Sequence, residues 1–307
     1  MPAPGRNWTL ADAPDQAGKL AIVTGATGGL GYETALGLAR CGATTILTGR
    51  NPDKGADALS RIRREVPSAQ VSFEPLDLAS LASVRRFAER RGVIDILVNN
   101  AGVMGLPNRQ LTRDGFEMQI GVNYLGHFAL TALLRDSLRG ARVVQVASLA
   151  HQKAVLKLDD LQSERSYAPM LVYRQSKLAM LMFALELHRR SARNGWNMTS
   201  IAAHPGWART DIIGNGIGNG KPGLKAWLIQ LGFDALAQSA ADGALPMLYA
   251  AMAPEAQAGA YYGPTGRGER TGPPGPSRIF PQAADPEAGR RLWDLSETLT
   301  GVTFGVG

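Results

Sequence analysis

The chain has 307 residues, 45% hydrophobic and 19% charged, which suits a large apolar core and excludes a disordered or fibrous chain. Its 33 basic and 26 acidic residues leave a net charge of +7, but the basic residues fall in scattered pairs such as Arg63-Arg64, Arg85-Arg86 and Arg189-Arg190, with no basic stripe or aromatic-basic alternation, so no nucleic-acid partner is expected. A single cysteine, Cys41, an N-terminal stretch without a signal-peptide core, and no apolar run of ~18 residues point to a soluble cytoplasmic protein with no membrane span.

In chain order, compact runs of Val, Ile, Leu and Thr predict strands over 19–25, 43–50, 70–77, 94–102 and 141–148. Between them, segments such as 31–42 and 80–92 carry apolar residues at helical spacing and end in glycine. This alternation predicts an α/β fold, a single domain over 1–307 built on a doubly wound parallel sheet with helices on both faces. A helix containing "VYRQSKLAML" (172–181) follows, then a sixth strand over 198–206. Six glycines between 206 and 223 precede an apolar segment, "LKAWLIQLGFDAL". A helix over 238–252, a short strand "GAYYG" and a Gly/Pro-rich surface loop over 263–286 come next. The last helix has both ends written out, with Asp285 as N-cap, Pro286 at its first position and Gly301 at its end.

The turn "TGATGGLG", Thr24 to Gly31, follows a strand and opens a helix. Glycines at 25, 29 and 31 let the backbone approach a pyrophosphate, which the amides of a helix N-terminus can hold. The first two glycines are separated by three residues, Ala26, Thr27 and Gly28, a spacing similar to that of the short-chain dehydrogenase/reductase family. Four further matches run in that family's order: "NNAG" from Asn99 to Gly102, Asn123 in "GVNYLGHF", Ser148 at the end of the fifth strand, and the pair Tyr173 and Lys177. "NNAGVM", "DGFEMQIGVNYLGHFALT", "LDDLQSERSY" and "HPGWARTD" resemble the branch of retinol dehydrogenases, protochlorophyllide reductases and WW-domain oxidoreductases.

Residues four apart share a helix face, so Tyr173 and Lys177 are expected to enter one cleft. An ammonium near a phenol favours the phenolate, which brings a group of pKa ~10 toward a working range. The resemblance implies a Rossmann-like dinucleotide-binding domain. It also implies a tetrad of Asn123, Ser148, Tyr173 and Lys177: Tyr173 transfers the proton, Ser148 holds the substrate oxygen, Lys177 holds the nicotinamide ribose, and Asn123 holds a water that links Lys177 to solvent. Cofactor contacts are implied for Gly25, Thr27, Gly28, Gly29, Leu30 and Gly31 in the first turn. Asp77 with Leu78, the run Asn100, Ala101 and Gly102, and Val122 are further implied contacts. Pro205, Gly206, Trp207 and Thr210 are expected beside the nicotinamide; Trp207 either packs near the ring or fills a core gap. No metal is expected, since the four histidines lack ligand spacing, and His127 reads as a packed or interface histidine.

After the second strand the chain reads "LTGRNPDKG", with Arg50 and Asn51 and no acidic residue before Asp53. An acid there would accept from a ribose diol, whereas arginine suits a 2′-phosphate, so NADP(H) is the expected cofactor. The expected function is NADP(H)-dependent interconversion of a lipophilic carbonyl and its alcohol. Reduction of a carbon–carbon double bond and NADP(H) sensing without turnover are the alternatives. The segment 206–236 reads as a substrate lid, or as a surface for a partner subunit or membrane. The helices carrying Asn123 and Tyr173 meet a second subunit in many members of the family, which makes a homo-oligomer an expectation.

Overall fold

A computed structural model describes residues 7–89, 91–208 and 237–305. Thr210 and most of the expected lid therefore lie outside the described residues. The predicted runs form β1 (Leu20–Val23), β2 (Thr44–Gly49), β3 (Val71–Pro75), β4 (Ile96–Asn99), β5 (Arg142–Val146), β6 (Thr199–Ala203) and β7 (Tyr261–Pro264). Successive side chains on a strand point to opposite faces. Accordingly Ile22, Leu97 and Val143 enter one apolar cluster and Val23, Val98 and Val144 the other. A sheet this apolar on both faces has to be covered on both.

One cover consists of α1 (Gly29–Arg40), α2 (Pro52–Glu65) and, from late in the chain, α7 (Ala240–Met252). The other holds α3 (Leu81–Ala88), α4 (Met118–Ile120), α5 (Gly126–Leu133), α6 (Pro169–Asn194) and the pair α8 (Pro281–Ala284) and α9 (Pro286–Thr300). The α9 caps are those expected. Asp285 accepts from the amides of Glu287 and Ala288, and Gly301 closes the helix at φ 59°. Trp293 of α9 and Phe304 beyond it pack on Phe128 of α5 at 5.1 and 5.3 Å between ring centres. Trp293 also reaches Phe183 of α6 at 5.7 Å. Burying each such ring contributes about 1.5–3 kcal/mol, and the packing covers apolar faces of α5 and α6 within the chain.

With β8 at Pro274–Pro276, the strand order is β3-β2-β1-β4-β5-β6-β7-β8. The first seven strands are parallel, and β8 runs antiparallel to β7. Thus the stretch 263–286 contains an edge strand where the sequence suggested only surface loop. A Pro-Gly-Pro run has no strand propensity, and only the edge of a sheet tolerates it. The order reverses between β1 and β4, and the crevice beyond the carboxyl ends of those strands is where this architecture receives ligands. Among the described residues, no helix is long and apolar enough to cross a membrane.

Candidate active site

At the head of β1 the glycine turn and the Asn100–Gly102 loop form one surface. Gly25 has φ 65°, and a Cβ there would lie 2.9 Å from Ala101 Cα, while one on Gly31 would lie 2.4 Å from the Gly25 carbonyl. Only glycine allows this approach. Thr24 Oγ1 accepts from the amides of Asn100 (2.8 Å) and Ala101 (3.0 Å), and Asn100 Nδ2 donates back to the Thr24 carbonyl at 2.8 Å. Thr27, Gly28, Gly29 and Leu30 stay partly open to solvent at the N-terminus of α1, where first-turn amides face an incoming anion. A phosphate-bearing dinucleotide fits this cradle.

A cleft of about 510 Å³ opens beside it, lined by Thr27, Gly28, Gly29, Asp53, Lys54, Asp57 and Arg61. Lys54 was missed in the sequence reading. Its signal was the spacing Lys54, Asp57, Arg61, which puts three charges on one face of α2 once the helix is known to start at Pro52. Arg50 and Asn51 are exposed. Asn51 Oδ1 accepts from the amides of Asp53 (2.9 Å) and Lys54 (3.1 Å), so this side chain caps α2. Asp77 Oδ1 likewise serves its own turn, accepting from the Ala79 amide at 3.1 Å, and Leu78 is buried.

The reaction end is built differently. Tyr173 and Lys177 lie one turn apart on α6 and are 6% and 3% exposed. Ser148, just beyond β5, lies beside the Tyr173 hydroxyl and favours its ionised form. Lys177 Nζ donates to the Val146 carbonyl at 2.9 Å and stands 6.0 Å from the Tyr173 ring centre. Asn123 and Val122 lie in a π-helical turn, Gly121–Leu125, between α4 and α5, a local widening that recurs at functional sites. The Asn123 side chain is fixed to main chain: Oδ1 accepts from the Val103 amide at 2.7 Å, and Nδ2 donates to the Val103 carbonyl at 3.0 Å and to Ser176 Oγ at 2.9 Å. Gly102 joins the two ends, since a Cβ there would lie 3.2 Å from Asn123 Oδ1 and 3.6 Å from Lys177 Nζ.

Burial lowers the Lys177 pKa from 10.5 to about 8. Burial also raises the Tyr173 phenol above its ordinary value, with Ser148 opposing the rise. The lowering of the phenol expected from Lys177 is not what these positions produce: burial is the largest cause, and what opposes it comes from Ser148.

Beyond β6, the segment His204–Trp207 is held from the far side by the stretch after β7. His204 Nδ1 accepts from the Gly206 amide at 3.1 Å, and its Nε2 lies 3.2 Å from Glu269 Oε2 and 3.0 Å from Ser277 Oγ. Against the opposing effect of burial, hydrogen bonds from His204, Ser277 and the Arg278 amide bring Glu269 down to about 2. The Trp207 amide donates to the Arg270 carbonyl at 2.7 Å, and the Arg270 guanidinium covers the indole at 4.1 Å. The Pro205 carbonyl accepts from Gln238 Nε2 at 2.8 Å. Among the described residues, no group of three or more His, Cys, Asp or Glu is arranged to hold a metal ion.

Comparison with known proteins identifies the family. The family described as short chain dehydrogenase matches residues 19–216. Polyprenol dehydrogenase of Mus musculus is 41% identical over 308 residues, covering 95% of this chain and 87% of its own. Retinol dehydrogenase 13 of Homo sapiens is 42% identical over 297 residues, covering 93% and 85%. A solved structure of an uncharacterized protein from Mycobacterium Paratuberculosis, 40% identical, superposes with a TM-score of 0.81 over 98% of this chain and 100% of that one. The chain is an oxidoreductase of the short-chain dehydrogenase family, in the branch of the retinol dehydrogenases.

Proposed function

We propose that the protein uses NADP(H) to interconvert a lipophilic carbonyl compound and its alcohol, with Tyr173 as the proton donor and acceptor. The observation that carries this reading is the cluster of buried Tyr173 and Lys177 with half-buried Ser148 at the carboxyl end of the sheet, joined through Gly102 to the dinucleotide cradle. When bound, the nicotinamide supplies or accepts the hydride. Ser148 and Tyr173 would orient the carbonyl oxygen between two hydroxyls. The raised phenol pKa keeps Tyr173 protonated at neutral pH, as the reductive direction requires. As its proton leaves, the Lys177 ammonium, anchored on the Val146 carbonyl, stabilises the phenolate in a site of low dielectric.

NADP(H) over NAD(H) is inferred from the exposed Arg50 and Lys54 at the head of α2, with Asp53 as the first acid after β2. The lipophilic substrate is inferred from the relatives, whose names specify polyprenol and retinol. The test is NADPH oxidation, with NADH in parallel, against long-chain and aromatic aldehydes and ketones. Tyr173→Phe should lower turnover at least ~10²-fold while NADPH binding by fluorescence titration stays nearly intact. Near-normal turnover in that variant would sink the assignment.

A further inference from the structure

His127 lies in the first turn of α5, fully buried, and both ring nitrogens are engaged. Nδ1 is 2.9 Å from the Asn123 carbonyl and Nε2 is 2.8 Å from Thr24 Oγ1. A carbonyl can only accept, so Nδ1 carries the proton and the Nε2 lone pair accepts from the Thr24 hydroxyl. That hydroxyl's other acceptor, the Val98 carbonyl, is farther away at 3.3 Å. Burial lowers the His127 pKa to about 3, with the Asn123 carbonyl opposing and the Lys177 charge adding to the shift, so the ring is neutral at pH 7.

We propose that His127 is a positioning residue that fixes the reaction end of the site relative to the dinucleotide cradle. On one side, Thr24 Oγ1 holds the amides of Asn100 and Ala101 at 2.8 and 3.0 Å. On the other, Asn123 Nδ2 donates to Ser176 Oγ, and Ser176 Oγ donates to the Tyr173 carbonyl at 2.8 Å. Hydrogen bonds to the main-chain carbonyl and from the side-chain amide of Asn123 therefore link the first turn of the cradle, through His127, to the backbone of α6 at Tyr173. The neutral Nδ1–H tautomer is required, because an Nε2–H form would aim a lone pair at the Asn123 carbonyl and break the link at its middle.

The inference rests on the proposed function, and Tyr173→Phe separates the two. If that variant keeps turnover, the functional reading fails; if it is inactive while all His127 variants behave as wild type, this inference alone fails. His127→Leu, which removes both bonds, should lower kcat and raise the NADPH KM, each by about tenfold. His127→Asn keeps a donor at the Nδ1 position and should return kcat to within about threefold while leaving the NADPH KM raised. His127→Gln reaches Thr24 instead and should restore the NADPH KM but not kcat. Wild-type kinetics in His127→Leu, or Asn and Gln variants no better than Leu, would overturn the proposal. Long-range proton–nitrogen correlation spectra of the wild-type protein test it without a variant. A neutral Nδ1–H imidazole at position 127 that does not titrate down to about pH 5 is expected, and an Nε2–H tautomer would refute the assignment.

Discussion

Arg50 and Lys54 stand in solvent around the start of α2, whereas Tyr173 and Lys177 on α6 are almost completely buried. Charges of the first kind are screened by water and salt, so they act in increments, each adding a little affinity for an anionic group. Charges of the second kind have their titration rewritten by desolvation, and their effect switches with a single proton. In the proposed function, a graded recognition end is thus joined to an all-or-none reaction end. The glycine turn and Gly102 form the seam between them.

The sharpest way to break this contrast is the pH dependence of the saturated reduction rate. Below about pH 8 Lys177 is an ammonium that can stabilise the phenolate; above it, the amine is neutral. The rate should hold on the acid side of pH 8 and fall more than about tenfold as pH rises past 9. The stability contribution of the same group has the opposite sign. Because its folded pKa lies below 10.5, burial of the ammonium costs stability below about pH 8, and that cost fades as pH climbs from 8 toward 10.5. Lys177→Met should remove this contribution from the melting profile. A rate that stays flat to pH 10 would show that the buried end does not switch.

A smaller effect sharpens the exposed end. Arg50→Ala and Lys54→Ala should each raise the NADPH KM about tenfold, shrinking as ionic strength rises, and leave NADH kinetics nearly unchanged. Equal losses with both cofactors would remove these residues from 2′-phosphate recognition. The smallest effect serves as the control. Asp285→Ala deletes the α9 cap without touching Tyr173, Lys177, Arg50 or Lys54 and should lower Tm by about 2 °C, from a cap worth about 1 kcal/mol, with nearly unchanged kinetics.

The sequence was most informative where chemistry demands a residue type at a fixed spacing. Tyr173 and Lys177 one helical turn apart, the glycines of the first turn, and the Asp285-Pro286 helix start each state a local geometry that no distant residue has to complete. The upward shift of the Tyr173 phenol was not legible because the neighbouring ammonium is visible in the sequence, while the burial that causes the shift comes from other elements. Lys54 was overlooked because its place on the cleft wall depends on where α2 begins. The Glu269 contact to His204 and the Thr24 contact to His127 span 65 and 103 residues, and no periodicity encodes pairs so far apart. At β8 the composition pointed away from a strand, and β7, itself paired to the sheet, imposed one.

That last strand bears on how the molecule behaves in a crowd. Pro274 and Pro276 carry no amide hydrogen, and Gly275 between them offers no side chain for a neighbour to grip. An unprotected outer strand is a template on which another chain can add its own, the first step toward fibrous aggregation. At the β8 edge two of the three residues have no donor, so that side of the sheet ends in a hem that offers a foreign strand little to be stitched to.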